Sequence, residues 1–264
     1  MRTARLFLTA VALMIGATAF ADEGMWMIQD INEALEKNMR ARGLKLAANE
    51  IYNDEAPGTA VSDAVVSIGF YCTGSVISDQ GLIITNHHCA YSNIAKLSTP
   101  EHNYLEDGFW AMTSEEEIPI EGETVFFLKK VFDVTEEVKG IMKEFRANGK
   151  PFGIRKISAI MEKRYKEATG MECILSSMWA GEKYYMSVYK TYTDLRLVAA
   201  PPQSIGYFGG NQDNWTWPRH NCDFTIYRIY EDGKPVTREK SLKISLAGYH
   251  PGSFAMVIGY PGRT

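Results

Sequence analysis

The sequence predicts a mainly β protein that is interrupted by a helical insertion. Residues 64–85 contain β-branched runs on both sides of a turn at residues 79–81, which is the pattern of consecutive antiparallel strands. Further short strand-like runs lie between turn residues at 124–129, 224–230, 242–246 and 254–259. Many short strands joined by turns favour a sandwich or a barrel.

The helical insertion is predicted over residues 135–197. This stretch is rich in Lys, Glu, Met and Ala, and its apolar residues recur at helical spacing, as at Val138 and Ile141. We expect two or three helices here, with stops at residues 149–151 and at Gly170.

An amphipathic helix is predicted near the N-terminus, over residues 25–44. Its apolar residues Ile28, Ile31, Leu35 and Met39 recur at steps of three and four, with charged residues between them. We expect this helix to pack on the body of the protein.

Residues 1–21 are predicted to form a signal peptide. A short basic segment precedes an uncharged apolar run at residues 6–20, and small residues occupy the two positions that a signal peptidase recognises. We therefore expect cleavage after Ala21 and a mature chain of residues 22–264 in the periplasm or outside the cell. The alternative is a membrane anchor, but a spanning helix needs about 20 apolar residues and this run is shorter. We expect no membrane partner after cleavage.

Composition and charge argue against a nucleic-acid partner. The chain has an ordinary globular composition with 45% hydrophobic residues, and its formal net charge is −4 without a lysine- or arginine-rich run. We therefore expect no nucleic-acid partner.

Export places the four cysteines where disulfides persist, and three pairings are possible among Cys72, Cys89, Cys173 and Cys222.

The segment Thr-Asn-His-His-Cys at residues 85–89 is the first candidate for chemistry. A histidine at a strand end, next to a cysteine able to tie back to the preceding hairpin, has the defined ring orientation that a general base needs. His88 is the better candidate, and His87 is expected to face the other way because side chains alternate along a strand. Two alternatives are a metal site that includes Cys89, against which the adjacent spacing argues, and a structural histidine at the strand end.

The loop at residues 208–224 is the second candidate. It contains two glycines, two tryptophans and a proline before a predicted strand, which is more aromatic mass than a loop chosen for solubility needs. Asp223, at the strand entry, is suited to accept a hydrogen bond from the second ring nitrogen of the base and so to fix its tautomer. Asp213, in the irregular part of the loop, is the competitor for this role.

Four segments give the chain a specific resemblance. They are residues 22–26, residues 72–75 together with 81–90, residues 209–224, and residues 259–264. In these segments the chain resembles family 46 of the serine peptidases, the bacterial dipeptidyl-peptidases of the 7 and 11 types, which belong to the chymotrypsin clan. The segments span essentially the whole mature chain, although the predicted helical insertion contributes no motif.

The resemblance implies a chymotrypsin-like double β-barrel, of which this chain holds only the first barrel plus helices. It implies that His88 is the general base, that Asp223 is its orienting carboxylate, and that Cys72 and Cys89 form a disulfide beside the histidine. It implies no metal and no organic cofactor.

Asn214 and Trp215 match the loop positions with which the family grips the free α-amino group of the substrate. An ammonium group needs oxygen acceptors, and Asn214 can supply its side-chain carbonyl. The alternative for Asn214 is a turn residue that stabilises its own loop. The implied function is a serine-type dipeptidyl-peptidase, an aminopeptidase that releases dipeptides from short peptides with a free N-terminus. A homodimer of the full-length protein is a further expectation.

A nucleophilic serine is missing from the predicted site. No Gly-x-Ser-Gly segment occurs, and Ser75 and Ser253 lie in strand-like contexts with a structural character. The family places a large helical domain and a second barrel further along, so we expect an N-terminal fragment that is inactive alone, with the acyl-enzyme forming on a serine beyond Thr264. Cys222 is not expected from the family pattern, and it either pairs with Cys173 or stays free.

Two other functions fit parts of the pattern. A non-catalytic peptide-binding remnant would keep the amine-binding loop without the chemistry, and a downstream serine would decide against it. A chymotrypsin-like endopeptidase would cleave peptides with blocked N-termini equally well, which amine anchoring forbids. The preference for the residue before the scissile bond is set in the second barrel and is not encoded in these residues.

Overall fold

The computed structural model describes residues 25–149, 151, 153–207, 216–218 and 220–261. The predicted signal peptide, Asp213, Asn214 and Trp215 lie outside the described residues.

The described residues form one antiparallel sheet with helices, so the predicted mainly β class is confirmed. The strands are β1 Val65–Ile68, β2 Cys72–Val76, β3 Leu82–Thr85, β4 Phe109–Trp110, β5 Ile118–Ile120, β6 Val125–Asp133, β7 Glu172–Met178, β8 Lys183–Tyr192, β9 Asp194–Ala200, β10 Thr225–Glu231 and β11 Lys234–Pro235. The helices are α1 Glu33–Ala41, α2 Ala48–Ile51, α3 His87–Leu97, α4 Tyr104–Asp107, α5 Thr135–Ala147, α6 Ile154–Thr169 and α7 Gln203–Gly206, and the short 3₁₀ turns are Ile28–Asp30, Val61–Ala64, Ser114–Glu116 and Trp179–Gly181.

The sheet is open, with the strand order β4-β9-β10-β3-β2-β1-β6-β8-β7. Strand β5 pairs with β9, and β11 pairs with β10. No helix within the described ranges is both long enough and apolar enough to cross a membrane.

The predicted antiparallel run at residues 64–85 forms three consecutive paired strands, β1, β2 and β3. The first run is shorter than predicted because Gly69 and Phe70 take positive φ values of 56° and 58° and turn the chain between β1 and β2. Gly74 is required in β2, since a Cβ atom there would lie 2.7 Å from the Ile83 side chain.

The helical insertion is only half as long as predicted. Helices α5 and α6 form, and α6 ends at Gly170 in the left-handed conformation with φ 67°, as expected for a glycine stop. The prediction is wrong beyond this point because residues 172–200 form β7, β8 and β9. In β7 the buried side chains of Cys173 and Leu175 alternate with less buried ones, which is a strand period and not a helical one.

Two further strand predictions, at residues 242–246 and 254–259, are also wrong. A strand needs a neighbouring strand for its backbone groups, and these segments have none within the part of the chain that the structure describes. Leu242 donates one backbone hydrogen bond to Val76, but Leu246 and Val257 are exposed.

The predicted N-terminal helix is shorter than residues 25–44. It consists of the 3₁₀ turn Ile28–Asp30 followed by α1. Asn32 divides them, because its side chain accepts a hydrogen bond from the Leu35 N–H at 3.0 Å and caps α1.

The buried apolar side chains form two clusters. The central core lies around β1–β3, β6, β9, β10 and α3, and it includes Val66, Ile83, Ile94, Phe127 and Tyr227. The helical core lies between α5, α6 and strands β7 and β8, and it includes Val138, Ile157, Met161, Met186 and Val188. The first candidate segment leads into α3, and the described end of the second, residues 220–224, leads into β10, so both connect directly to the central core.

Candidate active site

The sheet register brings the two candidate segments together. Strands β3 and β10 are antiparallel neighbours, with Thr85 opposite Thr225. The segment after Thr85 therefore meets the segment before Thr225, which places His88 beside Asp223 although they are 135 positions apart in the chain.

The two histidines begin a helix, and the expected strand backbone at this point is wrong. Strand β3 ends at Thr85, and α3 begins at His87 with Asn86 as its N-cap residue. Consecutive side chains on a helix are about 100° apart, so one of the pair can face inward while the other faces outward. His87 is fully buried, whereas the His88 side chain is 44% exposed.

Asp223 holds the His88 ring and the start of α3 with one carboxylate. Its Oδ2 atom lies 2.6 Å from His88 Nδ1, and its Oδ1 atom accepts the His88 backbone N–H at 3.0 Å. Asn86 donates its side-chain amide to the Asp223 carboxylate at 3.2 Å. The carboxylate thus satisfies an N–H that the first helical turn leaves without a partner, and its negative charge lies at the positive end of the helix dipole.

This contact determines the state of the ring. A carboxylate accepts hydrogen bonds, so the Nδ1 atom of a neutral His88 carries the proton and Nε2 is the basic nitrogen. The Asp223 side chain is only 16% exposed, and its carboxylate therefore acts on the ring with reduced screening by water.

The Cys72–Cys89 disulfide is present, as the resemblance implied. It joins β2 to the first turn of α3 at the residue that follows His88. Cys173 and Cys222 are both free, the former buried and the latter exposed, so of the two possibilities for Cys222 the structure has the unpaired one.

His87 packs beneath the site. A Cβ atom at Gly206 would lie 2.5 Å from His87 Cδ2, so the glycine lets α7 rest directly on the ring. Burial lowers the pKa of His87, although the nearby Asp223 charge and the Pro201 carbonyl oppose this effect. A neutral, buried His87 is a packing residue between α3 and α7.

An open cavity of about 500 Å³ adjoins His88. Tyr91 and Ser92, one turn further along α3, form one side, and Gln203 and Tyr207 form the other. The ring centroids of Tyr91 and Tyr207 are 5.8 Å apart. The cavity size falls in the range of small-ligand sites.

The two serines that the sequence set aside have structural roles. Ser75 lies within β2, opposite Val65 and Ile84. Ser253 lies in a turn and not in a strand-like segment, and its hydroxyl accepts the His250 N–H at 3.1 Å. Among the described residues, no group of three or more His, Cys, Asp or Glu side chains is arranged to hold a metal ion.

Sequence reasoning missed two residues that hold the site. Asn86 binds Asp223, and Asn93 is a buried polar residue of α3. An asparagine before a helix is a recognisable N-cap signal, but a helix was not expected here. The role of Asn93 depends on a partner that lies far away in the sequence.

The chain belongs to the peptidase S46 family, whose sequence model matches residues 21–264. It is 40% identical to Dipeptidyl-peptidase 7 of Phocaeicola vulgatus over 282 residues, which cover 100% of this chain and 39% of that protein. It is 42% identical to the Asp/Glu-specific dipeptidyl-peptidase of Porphyromonas gingivalis over 274 residues, covering 96% of this chain and 37% of that protein.

Solved structures of a related protein, DPP11, also match this chain. The crystal structure of Porphyromonas endodontalis DPP11 in complex with the dipeptide Arg-Glu matches 88% of this chain and 35% of that chain, with a TM-score of 0.79 and 36% identity. A complex of the same protein with the dipeptide Arg-Asp matches with a TM-score of 0.80. The family resemblance seen in the sequence is confirmed, and the chain spans less than two fifths of the length of these relatives.

Proposed function

We propose that this chain supplies the general base, His88, and the orienting acid, Asp223, of a serine dipeptidyl-peptidase. The observation that carries the proposal is the 2.6 Å contact between His88 Nδ1 and Asp223 Oδ2. It leaves Nε2 as the proton acceptor, which is the arrangement of a serine-peptidase base and acid.

The proposed reaction uses this geometry. A serine hydroxyl from beyond Thr264 attacks the scissile carbonyl carbon while Nε2 of His88 takes its proton. The C–N bond then breaks, the leaving amine receives the proton from the imidazolium, and the acyl-enzyme forms. A water molecule then attacks the acyl carbon while Nε2 takes its proton, the ester bond to the serine breaks, and the imidazolium returns the proton to the serine oxygen as the dipeptide is released. The Asp223 carboxylate stabilises the transient positive charge on the ring.

Residues 22–264 would be the N-terminal part of the catalytic domain, following a signal peptide at residues 1–21. The open sheet would correspond to the first of the two barrels in a chymotrypsin-like protein. The base following β3 and the acid preceding the adjacent β10 support this correspondence. The Cys72–Cys89 disulfide supports an oxidising compartment, the periplasm or the exterior of the cell.

The substrates would be short peptides with a free N-terminus. Asn214 and Trp215 would bind the α-amino group, and this anchor would set the cut two residues along the peptide. The dipeptide complexes of the related DPP11 support a peptide substrate. Asn214 offers a side-chain carbonyl to the ammonium group.

The test is to incubate the full-length protein with a hexapeptide and with its N-acetylated form, and to identify the products by mass spectrometry. We expect dipeptides from the free peptide and none from the blocked one. Asn214→Ala should abolish this discrimination or the activity, whereas Asn211→Ala, in the same loop, serves as the matched control. Equal cleavage of both peptides would indicate an endopeptidase, and no cleavage of either would indicate a binding remnant.

A further inference from the structure

Glu123 is a buried carboxylate that the proposed reaction does not use. It lies between β5 and β6 and is 9% exposed. None of the ion pairs found among the described residues involves it. A buried carboxylate without a cation is unfavourable unless hydrogen bonds replace its hydration.

Two side chains donate to the same oxygen of Glu123. The Tyr71 hydroxyl lies 2.5 Å from Oε2, and the Asn93 amide nitrogen lies 3.0 Å from it. The other oxygen, Oε1, accepts the backbone N–H of Thr124 at 3.3 Å. Hydrogen bonds to an ionised acceptor are about twice as strong as neutral ones, so this cluster holds its members firmly.

One donor lies on the helix that carries the base, and the other lies beside the disulfide that is joined to this helix. Asn93 belongs to α3, which begins with the two histidines, and Tyr71 directly precedes Cys72 of the disulfide. Cys89 and Asn93 are four residues apart and therefore share one face of α3. The disulfide and Glu123 thus fix that face of the helix, while Asp223 holds its N-terminus.

Glu123 contributes to raised pKa values of two neighbouring tyrosines. Burial, followed by the hydrogen bond to Glu123, raises the pKa of Tyr71. Burial raises the pKa of Tyr227 as well, and the Glu123 charge adds to that effect. Tyr71 therefore remains a neutral donor near neutral pH, which is the state that its hydrogen bond to Glu123 requires.

We propose that Glu123 is a positioning residue for His88, which it holds in place through Asn93 on the base-bearing helix and through Tyr71 beside the disulfide. The catalytic meaning of this inference rests on the proposed function. The tether itself is a property of the folded protein and can be measured without activity.

Glu117 provides a matched control. It is buried to a similar degree, 6% exposed, but it binds Arg228 at 2.8 Å and Tyr230 at 2.7 Å, both on β10. Removal of this carboxylate should also destabilise the central core. It should not release α3.

The experiment compares Glu123→Leu, Glu123→Gln, Asn93→Ala and Glu117→Leu in the full-length protein. Two readouts are used: kcat and KM for a free peptide, and hydrogen–deuterium exchange of residues 87–97 followed by mass spectrometry. We expect Glu123→Leu and Asn93→Ala to lower kcat roughly 10- to 100-fold with KM changed less than about twofold, since small misplacement of a reacting group has effects of this size. Exchange in α3 should accelerate in both.

Glu123→Gln retains an acceptor oxygen and should recover most of the lost kcat, and Glu117→Leu should keep kcat within about twofold of wild type. If Glu123→Leu does not fold, Asn93→Ala and Glu123→Gln still test whether Glu123 positions His88. Unchanged kcat and unchanged α3 exchange in Asn93→Ala, or the same losses in Glu117→Leu, would overturn the inference. A wild-type protein that releases no dipeptide would refute the proposed function, while the exchange data would still test the tether.

Discussion

The central core and the helical core bury apolar side chains equally well but differ in the polar groups that they bury. Ile94 in the central core and Ile157 in the helical core are both fully buried. Around the central core the buried polar residues are Asp63, Ser67, Thr85, His87, Asn93, Glu117, Glu123 and Thr225. Between residues 134 and 190, Thr135 is the one buried polar residue among those described.

The helical region keeps its charges at the surface. Its ion pairs include Lys183 with Asp133 and Lys166 with Glu172, whose side chains are well exposed. Buried polar groups are unfavourable unless their partners are correctly placed, so they specify one arrangement. Three of them, His87, Asn93 and Glu123, lie on α3 or bind it, which indicates that this part of the central core positions the site. The helical core supplies stability.

The largest effects should come from matched cavities in the two cores. Ile94→Ala and Ile157→Ala each remove a fully buried helical isoleucine, and each should lower the free energy of unfolding by about 2–5 kcal/mol. Urea denaturation of the full-length protein measures this. Only Ile94→Ala, which loosens α3, should also lower kcat of the folded enzyme. Equal kcat values for the two variants would remove the functional distinction between the cores.

The disulfide should have the next largest effect. Cys72 and Cys89 are 17 positions apart, and a closed loop of about this length stabilises a protein by about 3 kcal/mol in the chain-entropy account. Cys72→Ser with Cys89→Ser should lose this stability together with activity. Cys222→Ser, which removes an exposed free thiol, is the control and should shift the urea midpoint little. A disulfide-free variant with wild-type kinetics would show that α3 is held by its other contacts alone.

His87 should give the central core a pH dependence that the helical core lacks. Burial lowers the pKa of His87 below its ordinary value of 6.5, so just below pH 6.5 the unfolded chain binds a proton that the folded chain does not. The corresponding stability is present above pH 6.5 and is lost as the pH falls from 6.5 through the lowered pKa of the folded protein. His87→Phe should flatten this slope in urea titrations between pH 5 and pH 7.5, with His250→Gln as the control for loss of a histidine. An unchanged slope would mean that His87 does not titrate on unfolding.

The smallest effect is expected from the surface of the helical region. Hydrogen bonds from Lys183 and Thr135 lower the pKa of Asp133 to about 2. Its contribution to stability is therefore present above its ordinary pKa of 3.8 and is lost as the pH falls towards about 2. Because the group is exposed, Asp133→Asn should barely move the urea midpoint at pH 7. A large shift in the urea midpoint at pH 7 would show that Asp133 contributes substantially to stability.

The contacts around His88 were more predictable from the sequence than the sheet around them. His88, Asp223 and the Cys72–Cys89 pair are in contact where the sequence, with its family resemblance, expected them. Their local motifs are short and contiguous, so they are visible without knowledge of the fold. The helical start of α3 was not predicted. Strand β3 ends at Thr85 and the helix begins only two residues later, at His87, so the two histidines were assigned to the strand.

The errors have physical causes. Strand β8, with Tyr184, Met186 and Val188 buried, was assigned to a helix because the composition of the preceding helices was extended over it. Residues 242–246 have a strand composition but no strand neighbour within the described ranges, and pairing is not encoded locally. The contact between Glu123 and Asn93 is likewise invisible in sequence, since it spans 30 positions.

The central claim is that His88 and Asp223 act as one catalytic unit. The most direct test is the kinetics of His88→Ala, Asp223→Ala and the double variant in the full-length protein, with a free peptide as substrate. The account predicts that each single change lowers kcat/KM by roughly 10³-fold or more and that the double variant is hardly worse than the poorer single one. Losses that multiply in the double variant, or single variants with wild-type activity, would contradict it.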